Sequence, residues 1–206
     1  MHTNFPFPFQ NYLITSPKVK DMLVLVKQAV AAGYRFVQLR DKHAADQDME
    51  DLGRSLLPYL RAHQVELIIN DRLSVAQSLG VGLHVGMDDV DPRIARQCLG
   101  AAAWIGLTIH DQLGLAEQYQ DCVNYVGVGP IFPTQTKKDS KRLLGTKLLQ
   151  DICRNSSVPV VAVGGIDLSN AHQVVAAGPA GMAVCSAVCL AADPYQSAYQ
   201  LCQLWD

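Results

Sequence analysis

Gln38-Leu39-Arg40-Asp41-Lys42 closes an apolar run with an amide and two cations at every second position. In an extended chain that period sends Gln38, Arg40 and Lys42 to one side. A guanidinium fork beside an ammonium is costly to hold without an anion, and it suits neighbouring phosphoryl oxygens. The plainer alternative is a solvated strand end with Arg40 paired to Asp41. Two further apolar runs end in acid: Asn70-Asp71-Arg72 follows Leu67-Ile68-Ile69, and Asp88-Asp89 follows Leu83 to Met87. Either acidic segment could instead cap a helix, one beginning near Leu73 and the other near Pro92. On neighbouring strands, however, Asp71 and Asp89 would face each other beside the basic trio. Such carboxylates fit an oxygen-ligated Mg2+ shared with a diphosphate, and this is the role expected for them.

A second anion site is suggested further on. Gly129-Pro130-Ile131-Phe132-Pro133-Thr134-Gln135-Thr136-Lys137-Lys138 packs hydroxyls, backbone amides and two ammoniums into one segment able to grip a phosphate. Two lysines alone would mark only a solvated loop. Gly164-Gly165 and Cys185-Ser186 end two later runs, where amides bared by glycine and by the next helix start often bind phosphate, a tight turn being the bland alternative. His84 is expected to pack inside the protein. Thr108 and His110 share one side of a strand, so both are expected to face ligand. No Ser-His-Asp or Cys-His nucleophilic set can be inferred, and GxSxG is absent.

These groups need a scaffold that brings many chain positions to one mouth. Short apolar runs of strand length, near 12–16, 36–40, 66–70, 83–87, 104–109, 123–129, 159–163 and 181–186, alternate with stretches of helical period. Patterns such as 22–30, 48–61 and 148–153 put an apolar stripe on one helix side. Eight βα units of about 25 residues match a minimal (β/α)8 TIM barrel, whose active site forms at the C-terminal strand ends. The GxGxxG expected of a doubly wound nucleotide-binding sheet is absent. We therefore expect residues 1–206 to form one barrel domain, with a flap over about 130–145.

Composition narrows the partners. The 206 residues are 49% hydrophobic and 17% charged, enough to bury the core of one soluble domain. A formal net charge of −2 gives no field to gather nucleic acid or anionic lipid, so an anionic ligand must be held by a local basic site. No apolar run reaches the roughly 18 residues of a membrane span, and the first ten residues lack a signal-peptide pattern. The expectation is a cytoplasmic protein with neither nucleic-acid nor membrane partners. The six cysteines show no CxxC or zinc spacing and are expected to be reduced, mostly buried thiols. Barrels of this size often pair through outer helices, which leaves a homodimer open.

Taken in order, several segments resemble those of the thiamine phosphate synthase family: Tyr12-Leu-Ile-Thr15, Gln38-Leu-Arg-Asp-Lys42, Ile69-Asn-Asp-Arg72, His84-Val-Gly-Met-Asp-Asp89, Gly129 to Asp139, Val163-Gly-Gly-Ile166 and Ala183-Val-Cys-Ser-Ala187. The resemblance runs over nearly the whole chain, with the flap its most distinctive part. It implies a transferase that joins 4-amino-2-methyl-5-pyrimidinylmethyl diphosphate to a thiazole phosphate with Mg2+, giving thiamine monophosphate and pyrophosphate. It further implies that Gln38, Arg40, Lys42, Asn70, Thr108 and Lys137 hold the pyrimidine diphosphate. Asp71 and Asp89 would bind magnesium, and Thr134, Thr136, Gly165, Cys185 and Ser186 the thiazole phosphate. Arg40, Lys42 and Lys137 would act catalytically on the departing diphosphate. Two positions depart from the family pattern: Met87 stands where Gln is usual, and Thr108 where Ser is usual. Two rivals remain, a thiazole tautomerase, which needs no diphosphate site, and a non-catalytic barrel that binds a phosphorylated metabolite.

Overall fold

Side-to-side alternation along each strand builds the molecule from two concentric layers. A computed structural model describes residues 10–134 and 142–205. Within it, β1 (Asn11–Ile14), β2 (Phe36–Leu39), β3 (Glu66–Asn70), β4 (Gly82–Val85), β5 (Ile105–Thr108), β6 (Tyr125–Val128), β7 (Val160–Val163) and β8 (Gly181–Val184) pair in parallel, each with the next. β8 closes onto β1, with Tyr12 opposite Ala183. Between and after them run α1 (Met22–Ala31), α2 (Asp46–Ala62), α3 (Leu73–Leu79), α4 (Pro92–Leu99), α5 (Leu113–Tyr119), α6 (Gly145–Asn155), α7 (Ala171–Ala176), α8 (Ser186–Cys189) and α9 (Pro194–Cys202). The (β/α)8 barrel expected from the sequence is the fold found.

Outward residues such as Leu13, Val37, Leu39, Leu67, Ile69, Leu83 and Val85 join the large core shared with the helices, whereas Tyr12, Phe36, Ile68, Tyr125, Val161 and Ala183 form a separate cluster inside the barrel. Both faces of each strand are thus buried, which explains the near-continuous apolar runs. Bulky inner side chains need gaps opposite them, and glycines supply these. A Cβ on Gly106 would overlap the Tyr125 ring and the His84 imidazole. Outside, α2 buries Met49, Gly53, Leu56 and Leu60, one stripe at helical spacing.

The strands are shorter than the apolar runs that announce them, because apolar composition continues past the last ladder bond. β4 ends at Val85 rather than residue 87, and β6 spans Tyr125–Val128 rather than 123–129. One expectation is corrected: none of the six cysteines is in a disulfide, but only Cys189 is buried, Cys98 being exposed and the other four half-buried. Among the described residues no helix is long and apolar enough to cross a membrane.

Candidate active site

At the C-terminal end of β2 the alternation turns Gln38 inward, where it is 2% exposed, and Arg40 hangs from the strand end with its N–H bonded to Thr15 Oγ1 at 3.1 Å. Asp41 does not pair with Arg40. Its Oδ1 instead accepts from the His43 and Ala44 N–H groups at 2.9 and 3.3 Å, which bends the chain around exposed Lys42. The shared side expected of all three residues therefore stops at Arg40, and Lys42 arrives by the turn. Both cations still bear on Asp71. Burial and then the neighbouring Asp89 charge raise the Asp71 carboxyl above the usual range, while Lys42, Arg72 and Arg40 pull it down.

Neither acid is a cap. Asp71 sits in the left-handed region at φ 56, which Asp tolerates better than most residues, and its N–H donates to the His84 carbonyl at 2.9 Å. The N-cap of α3 is Arg72, and that of α4 is Asp91, whose carboxylate accepts from the Arg93 N–H at 2.7 Å. Asp89 Oδ2 accepts from the Gly86 N–H at 2.6 Å. That bond sets the loop from its backbone, so Met87, with 44% of its surface exposed, is not what holds Asp89 in place. Among the described residues no three His, Cys, Asp or Glu side chains gather around one point. A dication here could take two carboxylates and complete its shell from water and phosphate oxygens, the habit of Mg2+.

Inside the mouth, His84 does more than pack. Its Nδ1 lies 3.0 Å from Tyr125 Oη and its Nε2 2.8 Å from Thr108 Oγ1. Tyr125 Oη is 2.8 Å from Tyr12 Oη, which accepts from Gln38 Nε2 at 2.8 Å. Burial pushes both phenols far above their ordinary range, so they stay protonated. Asn70 stands opposite His84 in the β3 and β4 register. β5 ends at Thr108, so His110 lies past the strand whose alternation would give the two the expected shared side; at φ 50, its Nδ1 lies 2.7 Å from the Gly129 carbonyl oxygen.

The opposite arc carries the flap, the Gly164-Gly165 turn and the Cys185-Ser186 turn. The Ile131 and Phe132 N–H groups donate to the Val163 and Gly164 carbonyls at 3.1 and 3.0 Å, and Leu144 and Gly145 return to Pro130 and Ile131. The flap is thereby tied at its base. Thr136, Lys137 and Lys138 lie outside the described residues; Thr134, half-buried, is the last described residue before them. Gly165, at φ 67, passes so close that a Cβ would sit 2.5 Å from the Phe132 and Pro133 carbonyls. Half-buried Cys185 precedes exposed Ser186 at the start of α8. A hydrogen bond with Cys189 lowers the Cys185 thiol, burial opposes it, and the Arg40 charge adds to the lowering. Arg40 is thus felt at both the β3 and the β8 ends of the mouth.

The sequence placed Arg72 among the polar strand ends at the mouth but gave neither it nor the two tyrosines a role. Arg72 Nη1 meets Asp46 Oδ1 at 2.7 Å and Nη2 donates to the Asp41 carbonyl at 3.0 Å, so it fastens the β2 and β3 loops together. Its place directly after the Asn-Asp pair was the available signal. For Tyr125 the signal was Gly106, its partner on the neighbouring strand.

Residues 11–188 match the protein family described as thiamine monophosphate synthase. A thiamine-phosphate synthase of Psychrobacter sp. (strain PRwf-1) is 38% identical over 194 residues, 91% of this chain and 91% of that one. Another, from Azorhizobium caulinodans, is 38% identical over 200 residues, 95% of this chain and 94% of its own. Among solved structures, thiamine phosphate pyrophosphorylase from Pyrococcus furiosus superposes with a TM-score of 0.87 at 28% identity, covering 98% of both chains.

Proposed function

The chain belongs to the thiamine monophosphate synthase family, and from that premise we propose that it joins 4-amino-2-methyl-5-pyrimidinylmethyl diphosphate to a thiazole phosphate, releasing pyrophosphate and forming thiamine monophosphate. The observation that carries this reading is the environment of Asp71, where the Asp89 charge and those of Lys42 and Arg40 meet at one carboxylate. Two acids held together beside two cations suit a dication and a diphosphate better than they suit a bare protein.

In this reading Asp71 and Asp89 would hold Mg2+, which would neutralise part of the diphosphate charge. Arg40, Lys42 and Lys137 receive the diphosphate oxygens, so the carbon–oxygen bond can break as charge develops on the leaving group. Gln38, Asn70 and Thr108 orient the pyrimidine ring, which carries the positive charge until the thiazole nitrogen attacks. Little acid or base help is required. Thr134, Thr136, Gly165, Cys185 and Ser186 seat the thiazole phosphate, and the flap keeps water from trapping the cation.

The test is pyrophosphate release from a mixture of both substrates, with Mg2+ and then with chelator. The proposal expects pyrophosphate and thiamine monophosphate in equal amounts, lost on chelation and restored by Mg2+. Thiazole isomerisation without pyrophosphate would point to a tautomerase. Tight thiazole phosphate binding without turnover would point to a binding barrel.

A further inference from the structure

Four hydrogen bonds run through the barrel from Gln38 on β2 by way of Tyr12, Tyr125 and His84 to Thr108 on β5. The chain begins and ends on residues that the proposed function assigns to the pyrimidine, and it spans strands distant in sequence. Room for it is built in: Gly106 leaves the space taken by Tyr125 and His84, and a Cβ on Gly127 would stand 3.2 Å from His84 Cε1.

Such a chain has a sense, because a phenol has one proton to give. Tyr12 accepts from the Gln38 amide, so its own proton goes on to Tyr125. Continued in the same sense, Tyr125 donates to His84 Nδ1, the neutral imidazole carries its proton on Nε2, and Nε2–H donates to Thr108 Oγ1. At one end Gln38, its nitrogen engaged, offers Oε1 as an acceptor; at the other the Thr108 hydroxyl offers a donor. The opposite sense would reverse both ends together.

We infer that this relay is a specificity device: His84, Tyr125 and Tyr12 are positioning residues that make Gln38 an acceptor and Thr108 a donor, the complement of a ring bearing an exocyclic amine next to an unprotonated ring nitrogen. The inference rests on the proposed reaction and goes beyond it, since it says how the amino substrate is told from its 4-hydroxy counterpart. In the keto form that counterpart presents an acceptor and an N–H donor, the wrong pattern at both ends. A site with fixed polarity leaves its buried groups unpaired against such a ring.

Two measurements test it. Imidazole-nitrogen NMR of the labelled free protein, with His84 assigned by His84→Gln, should show a neutral ring protonated at Nε2 and a changed signal in Tyr125→Phe. A ring protonated at Nδ1 in the wild type would overturn the assigned sense, whatever the enzyme's reaction. Secondly, the ratio of kcat/KM for the amino over the 4-hydroxy pyrimidine diphosphate should fall at least about tenfold in Tyr125→Phe. The KM for thiazole phosphate should not move. Tyr125→Phe keeps the ring that stacks on His84 at 5.5 Å between centroids, so the variant should fold. A folded variant with unchanged selectivity would end the proposal. A wild type that releases no pyrophosphate would refute the proposed reaction instead, leaving the NMR result to decide the relay.

Discussion

Arg72 donates from Nη2 to the Asp41 carbonyl oxygen at 3.0 Å, and this bond links the loop that carries Lys42 to the loop that carries Asp71. Nη1 of the same guanidinium is committed to Asp46 at 2.7 Å, so one planar fork holds two partners at once. Arg72→Ala should therefore lower kcat/KM for the pyrimidine diphosphate by about 10- to 100-fold, as supports behind metal ligands commonly do. Arg72→Lys should recover only part, because a point charge cannot span both acceptors. Steady-state kinetics at varied Mg2+ would show the loss chiefly as weakened metal dependence.

Asp71→Ala and Lys137→Ala should each reduce turnover by at least about 10² to 10³, the usual consequence of removing one preorganised charge from a developing anion. Circular dichroism should show both variants folded. Near-full turnover by both would reject the assignment of these residues to the diphosphate.

The pH dependence follows from Asp71, whose carboxyl is raised first by burial and then by Asp89. A raised acid disfavours its ionised form in the fold, so the metal-free protein is penalised once pH rises through the folded pKa. Asp71→Asn should therefore melt above the wild type near neutral pH in chelator, and the difference should vanish below about pH 3.9, where the unfolded acid is also protonated. With saturating Mg2+ and diphosphate the order should reverse.

Gly106→Ala places a methyl where the Tyr125 ring and His84 Nδ1 already are, and overpacking of this kind costs about 1–3 kcal/mol. In α5, by contrast, a Cβ on Gly114 meets nothing within 4 Å. Gly114→Ala should be stabilising by about 0.5–1 kcal/mol through helix propensity alone. Denaturant midpoints of the two variants should move in opposite directions.

The fold was legible because a parallel strand buried on both faces cannot hide its composition. β2 and β3 alternate Phe36, Gln38 and Ile68, Asn70 inward with Val37, Leu39 and Leu67, Ile69 outward, and both sets are apolar until the strand end. The change to Gln38, Arg40 and Asn70, Asp71 marked the mouth for the same reason. Periodicity could not say that Asp71 would adopt a left-handed conformation, or that Asp91 rather than Asp88 or Asp89 would cap α4. These depend on turn geometry, which neighbouring residues decide jointly. Nor could it see the relay, because Tyr12 and Tyr125 are 113 positions apart and a strand tyrosine reads as apolar until its hydroxyl finds a partner.

One ion shared by two carboxylates lies at the centre of the proposed reaction, and anomalous scattering from crystals grown with Mn2+ and the pyrimidine diphosphate would locate it. A single metal peak within about 2.0–2.3 Å of oxygens from both Asp71 and Asp89, or reaching one of them through a bound water, with diphosphate oxygens completing the shell, is the expected result. A bound diphosphate whose metal lies away from both acids would contradict it.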